Sequence, residues 1–137
     1  MHMPQYSLNE ETPKAAEYMA LRLAAGLSGK STEAAQLGLA GTLFAVCVRD
    51  NDRLIGMGRV IGDGGCYYQI VDIAVQPDYQ RQGIGYRIME SLMGYLREHA
   101  PKSAYVCLIA DHGAPFLYQK FGFEFTAPTS VGMAIRL

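Results

Sequence analysis

Apolar residues recur at helical spacing in the first part of the chain. The pair Thr12-Pro13 is typical of an N-cap followed by a proline in the first turn, so it predicts the start of a helix. The apolar face that this spacing predicts consists of Ala16, Met19, Ala20, Leu23 and Leu27. Gly26 and Gly29 interrupt the pattern, and a second short helix is predicted from Thr32 to Leu39.

From Thr42 onward the pattern changes to short apolar runs separated by turn residues, which predicts a meander of strands. The predicted strands run from Leu43 to Val48, from Leu54 to Ile61 and from Cys66 to Val75, with turns at 50–52 and 62–65. Alternate side chains of a strand point to opposite faces. On the third strand this alternation groups Asp72 with Tyr68, Ile70 and Ala74.

The second half of the chain predicts further helices and strands in alternation. An amphipathic helix follows residue 83; its apolar face is Ile84, Ile88, Leu92, Tyr95 and Leu96. After Pro101 we expect a strand from Ser103 to Ala110, a helix from Ala114 to Lys120, and a hairpin formed by 123–125 and 131–137 around Pro128. This order predicts one domain over residues 1–137, of the α/β (α+β) class, with a mixed, mostly antiparallel central sheet and helices on both faces.

Composition and charge argue against several classes of function. The 12 basic and 13 acidic side chains give a net charge of −1, which indicates neither a nucleic-acid partner nor a membrane surface. No apolar run reaches the length of about 18 residues that a membrane span needs, and the first residues lack the pattern of a secretory signal. Cys47, Cys66 and Cys107 are odd in number and widely spaced, so we expect free thiols and a cytoplasmic protein.

The segment between the third strand and the long helix predicts an anion-binding loop. Gly83 and Gly85 carry no Cβ, so an anion can approach the backbone closely. The N–H groups at the start of the following helix are free to bind it, and the helix dipole favours negative charge there. Arg81 and Arg87 flank the loop and can bind phosphate oxygens. A dinucleotide-binding loop would need a third glycine where this chain has Ile88, which excludes that interpretation.

The pattern Gln80-x-x-Gly83-x-Gly85 resembles the coenzyme A loop of the GNAT superfamily of acyl-CoA-dependent N-acetyltransferases. The segment 114–123 resembles the late helix of that family, and the resemblance extends from about Leu43 to the C-terminus. It implies an acyl-CoA N-acyltransferase fold and direct transfer of an acetyl group from acetyl-CoA to an amine of a small molecule, without a metal. The alternative is a non-catalytic acyl-CoA-binding sensor or regulatory module.

The resemblance also implies roles for particular residues. The coenzyme-binding residues that it implies are Ile73, Ala74, Val75, Gln80, Arg81, Gln82, Gly83, Ile84, Gly85, Tyr86, Arg87 and Phe116. A backbone N–H near Ile73 to Val75 would bond the thioester oxygen. Tyr118 would be the general acid that protonates the departing thiolate, because a phenol keeps its proton at neutral pH; the alternative is a packing tyrosine.

The general base is the second catalytic role to assign. Asp72 is the carboxylate inside the third strand, and we consider it as the catalytic base, directly or through water. The alternative is a structural carboxylate that bonds a neighbouring loop or arginine. Some members of the family carry a glutamate at the place of Gln69, and an amide cannot serve as a base.

Three other patterns favour structural interpretations. Residues 24–31 fit a relaxed phosphate-loop pattern, but such a loop must follow a strand and here a helix is predicted. Cys107, Asp111 and His112 do not have the paired spacing of a structural zinc site. The Asp63-Gly64-Gly65 turn is explained by turn chemistry alone.

The apolar C-terminal strand could pair between two copies, which makes a homodimer possible.

Overall fold

The computed structural model describes residues 6–111 and 114–137. It contains a sheet of five strands in the order β1-β2-β3-β4-β5, in which the first four are antiparallel neighbours and β5 is parallel to β4. The strands are β1 Tyr6–Asn9, β2 Phe44–Asp50, β3 Arg53–Gly62, β4 Tyr67–Val75 and β5 Tyr105–Cys107. The helices are α1 Ala15–Ala24, α2 Thr32–Ala40, α3 Ile84–His99 and α4 Pro115–Gln119. The predicted fold class, a mixed and mostly antiparallel sheet with helices, is confirmed.

The two faces of the sheet carry two separate hydrophobic cores. On one face α3 packs against the middle strands, and the fully buried side chains of this core include Val46, Ile55, Val60, Ile88, Met89 and Leu92. On the other face α1 and α2 cover a smaller core, which consists of Tyr18, Leu21, Ala35, Leu39, Cys47, Leu54, Met57 and Ala74. Helices therefore lie on both faces, as the sequence predicts.

A β-bulge interrupts the middle of β4. Met57 of β3 pairs with Ala74 and Arg59 pairs with Val71, so Asp72 and Ile73 together stand opposite Gly58. Asp72 lies at the bulge with φ of 61°, an uncommon conformation that aspartate tolerates better than most residues. The predicted alternation is therefore wrong beyond Val71: Tyr68 and Ile70 face α3, whereas Ala74 packs with α1 and α2. The extra residue of the bulge shifts the phase of every later side chain.

Helix α1 also buries a different side from the one that apolar spacing predicts. It begins at Ala15, later than Thr12-Pro13 predicts, and it buries Tyr18, Leu21 and Arg22. Leu23 of the predicted apolar face is 64% exposed. The reason is chemical: Tyr18 and Arg22 both bond Asp72, so two polar side chains turn inward with Leu21.

The ends of the sheet differ from the prediction in three places. Strand β1 was not predicted, and the predicted strand 103–110 is reduced to β5. The predicted C-terminal hairpin is wrong. A turn is present near Pro128, with the Ser130 N–H bonding the Thr126 carbonyl at 2.9 Å, but residues 123–137 form no strand. Apolar alternation marks a segment that can pair, but it does not supply a backbone partner.

Within residues 6–111 and 114–137, no helix has the length and apolar character needed to cross a membrane.

Close packing of α3 on β3 predicts the effect of a single methyl group. A Cβ at Gly58 would lie 2.6 Å from Ile88 Cγ2 and 2.8 Å from Ile73 Cδ1, so Gly58→Ala should lower the free energy of unfolding by about 1–3 kcal/mol. The control is Gly94→Ala in α3, the helix that packs on Gly58. A Cβ there meets nothing within 4 Å, so alanine should stabilise by about 0.5–1 kcal/mol. Urea unfolding measures both changes, and equal stability of the two variants would contradict this account of the packing.

Candidate active site

A cleft opens where β4 and β5 separate. Among the residues that the structure describes, the two strands pair only between Tyr67–Gln69 and Tyr105–Cys107, so the rest of β4 has a free edge on this side. The cleft has a volume of about 1010 Å³ and runs along this edge. Its other wall comes from Leu108, Ile109, Asp111, Ala114, Leu117 and Tyr118. A free strand edge presents unpaired backbone groups that an extended ligand can bind.

At its C-terminal end, the backbone of β4 points into this cleft. The N–H of Gln76 bonds the carbonyl of Ile55 on β3 at 2.8 Å, so Gln76 faces the neighbouring strand. Successive backbone groups of a strand point to opposite edges, and those of Val75 therefore face the cleft. The carbonyl of Val75 accepts a hydrogen bond from Gln80 Nε2 at 3.0 Å, in agreement with this direction.

The N-terminus of α3 closes one end of the cleft. Gly83 is the N-cap with φ of 81°, a conformation that favours glycine, and no side chain caps the helix. A Cβ at Gly85 would meet only Leu117 Cδ2, at 3.6 Å. The N–H groups of the first turn are therefore open to an anion, in the field of a 16-residue helix. Arg81, also at positive φ, lines the cleft next to this turn.

Two tyrosines attach the segment before α3 to strands β1 and β2. Tyr79 donates a hydrogen bond to Asp50 at 2.6 Å, and Tyr6 of β1 donates one to Gln82 Oε1 at 3.0 Å. The rings of Tyr6 and Tyr79 meet edge to face at 5.4 Å. The unpredicted strand β1 thus supports the loop from outside the cleft.

Tyr118 lies on the opposite wall, in α4. Its side chain is half-buried, and burial together with the nearby Asp111 carboxylate raises the pKa of its phenol. The phenol therefore carries its proton throughout the neutral range. This position and protonation state suit a proton donor to a group held in the cleft.

A buried ionic cluster lies at the other end of the cleft, where α1 meets the sheet. The carboxylate of Asp72 accepts hydrogen bonds from Tyr18 Oη at 2.9 Å, from Arg59 Nε at 2.8 Å and from Arg22 Nη1. All three partners are buried. Burial and the adjacent Asp72 charge raise the pKa of Tyr18, so this phenol stays neutral. The cluster joins α1 to β3 and to the bulge of β4.

Comparison with known proteins identifies the family. A family model described as "Acetyltransferase (GNAT) domain" matches residues 23–137. This chain belongs to the GNAT acetyltransferase family. A protein of unknown function from meticillin-resistant Staphylococcus aureus has a solved structure with 52% identity and a TM-score of 0.93, covering 96% of this chain and 99% of that chain.

Further GNAT proteins share the fold or part of the sequence. A GNAT-family acetyltransferase from Streptococcus pneumoniae has 25% identity and a TM-score of 0.77 over 96% of this chain and 97% of that chain. The GCN5-related N-acetyltransferase 2 of Arabidopsis thaliana chloroplasts is 36% identical over 72 residues, which is 53% of this chain and 27% of that protein. An uncharacterised N-acetyltransferase from Porphyra purpurea is matched over 44% of its length. The chain thus spans less than half the length of these curated relatives.

The cleft brings together most of the site residues that the sequence predicts. Those lining it are Asp72, Ile73, Ala74, Val75, Gln80, Arg81, Gly83, Ile84, Gly85 and Tyr118. Four others do not line it. Gln82 bonds Tyr6, Tyr86 packs against Phe121 with ring centroids 4.9 Å apart, Arg87 is exposed, and Phe116 is 74% exposed.

Sequence reasoning missed the polar residues at the α1 end of the cleft. These are Tyr18, Arg22, Lys30 and Arg59. A signal was available for Tyr18 and Arg22: they stand four residues apart on either side of Leu21, so they share one side of a helix. Arg59, inside an apolar strand, was a comparable signal that a buried carboxylate was needed.

The other patterns in the sequence have structural explanations. Helix α1 precedes residues 24–31, so the strand that a phosphate loop requires is missing there. Asp63 Oδ1 accepts backbone hydrogen bonds from Gly65, Cys66 and Tyr67, which lower its pKa and stabilise the turn. Of Cys107, Asp111 and His112, the last lies outside the described residues.

No cysteine side chain lines this cleft, and all three cysteines are among the described residues. Burial raises the pKa of the Cys47 thiol to about 12. This thiol is therefore a poor nucleophile at neutral pH.

The buried cluster predicts a large loss of stability when Asp72 is neutralised. Asp72→Asn preserves the shape and tolerates positive φ, but it leaves Arg22 and Arg59 buried without their counter-charge. We expect the free energy of unfolding to fall by about 3–5 kcal/mol in urea titrations. Asp78→Asn, at an exposed position, should change it by less than about 0.5 kcal/mol. A cost below about 1 kcal/mol for Asp72→Asn would show that the ion pairs contribute little.

Proposed function

We propose that this GNAT protein is an N-acetyltransferase that moves an acetyl group from acetyl-CoA directly to an amine of a small molecule. The observation that supports this most strongly is the free edge of β4, which leads directly to the uncapped N-terminus of α3. An extended amide chain ending in a pyrophosphate is complementary to these two features. The Brucella melitensis GNAT acetyltransferase, which has this fold, was solved in complex with acetyl-CoA.

In this proposal, different parts of the cleft bind different parts of the coenzyme. The first turn of α3 and Arg81 bind the pyrophosphate, and the edge of β4 from Ile73 to Val75 binds the amide chain. A cleft-facing N–H of Ile73 or Val75 polarises the thioester carbonyl. A donor of this kind typically lowers a barrier by roughly 3–4 kcal/mol.

The acceptor amine attacks the thioester carbon, the C–S bond breaks, and the Tyr118 hydroxyl gives its proton to the departing sulfur. The nitrogen gives up a proton to water as the amide forms, and a proton from water restores the Tyr118 hydroxyl. We assign Asp72 a positioning role rather than that of the general base, because three donors already occupy its oxygens. Transfer is direct, since no cysteine lines the cleft.

A sensor that binds acyl-CoA without turnover is the competing function. Isothermal calorimetry with acetyl-CoA, followed by free-thiol release across a panel of amines, separates the two. Binding with turnover supports the enzyme, and binding without turnover of any amine supports the sensor. Absence of binding would contradict both.

We also propose a reducing compartment, the cytoplasm, because Cys47, Cys66 and Cys107 are all free.

A negative charge in the first turn of α3 should separate binding from stability. Gly85→Asp places a carboxylate at the proposed pyrophosphate site, where it favours the helix dipole by about 0.3–1 kcal/mol but repels the ligand. We expect an unchanged or higher Tm and at least a tenfold weaker Kd for acetyl-CoA by calorimetry. Gly94→Asp adds the same charge to the same helix far from the cleft and should leave Kd unchanged. If the Gly85→Asp variant and the wild type bound acetyl-CoA with the same Kd, the pyrophosphate would not bind at this site.

The proposed proton donor predicts a loss of turnover without a loss of affinity. Tyr118→Phe should lower kcat on the order of 10²-fold while the Kd of acetyl-CoA stays the same. Because burial raises the pKa of Tyr118 above its usual 10.0, the wild-type kcat should show no decline due to this group below about pH 10. Tyr105→Phe, on β5 outside the cleft, is the control. Full turnover of Tyr118→Phe across the pH range would overturn the assignment.

The C-terminal segment supports a homodimer as the assembly of this protein. Met133 is 91% exposed and Ile135 is 85% exposed. With Val131 and Leu137 they would lie on one side of the segment if it paired as a strand. The same chain offers a matching surface: β5 is a free sheet edge, beside a groove of about 460 Å³ lined by Val106, Leu108, Phe121, Phe123 and Phe125 among others. We propose that a second copy covers this apolar row.

Single charges on the two sides of the segment test the dimer. Met133→Lys should produce monomers in light scattering after size exclusion, because a charge would be buried in the interface. Ala134→Lys, on the opposite side of the same segment, should remain dimeric. A monomeric wild type, or equal behaviour of the two variants, would contradict the proposal.

A further inference from the structure

Two guanidinium groups share a single carboxylate at the α1 end of the cleft. Arg22 and Arg59 are each only 7% exposed, and both bond Asp72. The cluster therefore carries one more positive charge than negative. Buried charges in proteins are normally paired, because an unpaired one keeps a large desolvation penalty.

The other partners of the two arginines are neutral. Arg22 donates to the carbonyl and hydroxyl of Ser28 at 2.9 and 3.1 Å, and Arg59 donates to the Gly38 carbonyl at 3.2 Å and Thr42 Oγ1 at 2.7 Å. Among the described residues, Asp72 is the only carboxylate in an ion pair with either arginine.

Tyr18 does not supply the missing charge either. Its ring lies 5.8 Å from the Arg22 guanidinium carbon and 5.5 Å from that of Arg59, which gives weak cation–π stabilisation. Its hydroxyl donates to Asp72 and so keeps its proton.

A further cation lines the same end of the cleft. Lys30 in the loop between α1 and α2 is exposed, and it lines the cleft together with Arg22 and Arg59. The walls there consist of these three cations and Asp72, with apolar side chains such as Leu27 and Ile61 between them. Charge at this end is distinct from that at the α3 end, which is already assigned to the pyrophosphate.

We propose that the acceptor amine carries an anionic group, a carboxylate or a phosphate, which binds at the cluster of Arg22, Lys30 and Arg59. This inference rests on the proposed acetyltransferase function and names the class of its substrate. The anion supplies the charge that the buried cluster lacks. Its binding holds the molecule at the end of the cleft that the coenzyme does not occupy.

Matched pairs of amines test the substrate class. Free-thiol release is measured with γ-aminobutyrate against its amide, and with ethanolamine phosphate against ethanolamine. We expect kcat/KM to be at least tenfold higher for the anionic member of one pair, as a charge-assisted hydrogen bond provides. A larger anionic-to-neutral ratio of kcat/KM in the γ-aminobutyrate pair indicates a carboxylate, and a larger ratio in the ethanolamine phosphate pair indicates a phosphate. Equal kcat/KM within both pairs would overturn this inference while leaving the acetyltransferase function intact, and binding of acetyl-CoA with no turnover of any amine would end both.

A lysine variant assigns the effect to this cluster. Because Lys30 is exposed, Lys30→Gln should fold normally and reduce the anionic-to-neutral ratio of kcat/KM about tenfold. Lys102→Gln, an exposed lysine outside the cleft, should keep the wild-type ratio. An unchanged ratio in Lys30→Gln would place the anion elsewhere.

A second readout does not depend on turnover. With coenzyme A saturating, so that the α3 end is filled, inorganic phosphate should raise the Tm of the wild type more than that of Lys30→Gln. An identical Tm rise in the two proteins would contradict binding at the cluster.

Discussion

The buried carboxylate of Asp72 connects most of the features that matter in this molecule. It sits in the bulge of β4, and its oxygens receive donors from α1 and β3. Without this acceptor, Tyr18 and Arg22 would have no reason to face the sheet, and α1 would bury a different side. The bulge sets where the carboxylate points, and the carboxylate sets how α1 lies on the sheet. One irregular residue thus couples the backbone of β4 to α1, which forms part of the cleft wall.

The same strand also contributes to the other end of the site, because its pairing with β5 ends early. Pairing of β4 with β5 stops after Gln69, and the remaining backbone of β4 faces open space. The side chains of Ile73 and Val75 nevertheless stay in the core under α3, so the exposed edge is held rigidly. Gly58 allows α3 to approach the sheet closely enough to fill that core. A rigid strand with an open edge is a suitable support for a ligand that must be held in register with a reacting group.

The sequence was informative wherever a local pattern determines a local structure. The loop from Gln80 to Gly85, the long helix and the middle strands follow from glycine spacing and periodicity, and the family resemblance implies a role for the loop in coenzyme binding. It was uninformative where the outcome depends on distant partners. The bulge at Asp72 changes which face of the sheet the later side chains of β4 occupy, whereas a prediction by alternation assumes a regular strand. A search for apolar periodicity treats Tyr18 and Arg22 as surface residues. They are buried because they bond a carboxylate that lies 50 residues or more away along the chain. The C-terminal alternation marks a segment able to pair, while the identity of its partner lies outside any local pattern.

The division of the molecule into two cores on opposite faces of one sheet has a consequence for its evolution. The N-terminus of α3 and the edge of β4 depend on the larger core, whereas Arg22 and the loop carrying Lys30 belong to helices packed on the smaller one. Mutations in α1, α2 or their loop that keep the contacts of Asp72 can therefore accumulate with little disturbance of the proposed coenzyme half. Such an arrangement permits a lineage to exchange one acceptor for another while the acyl donor stays the same.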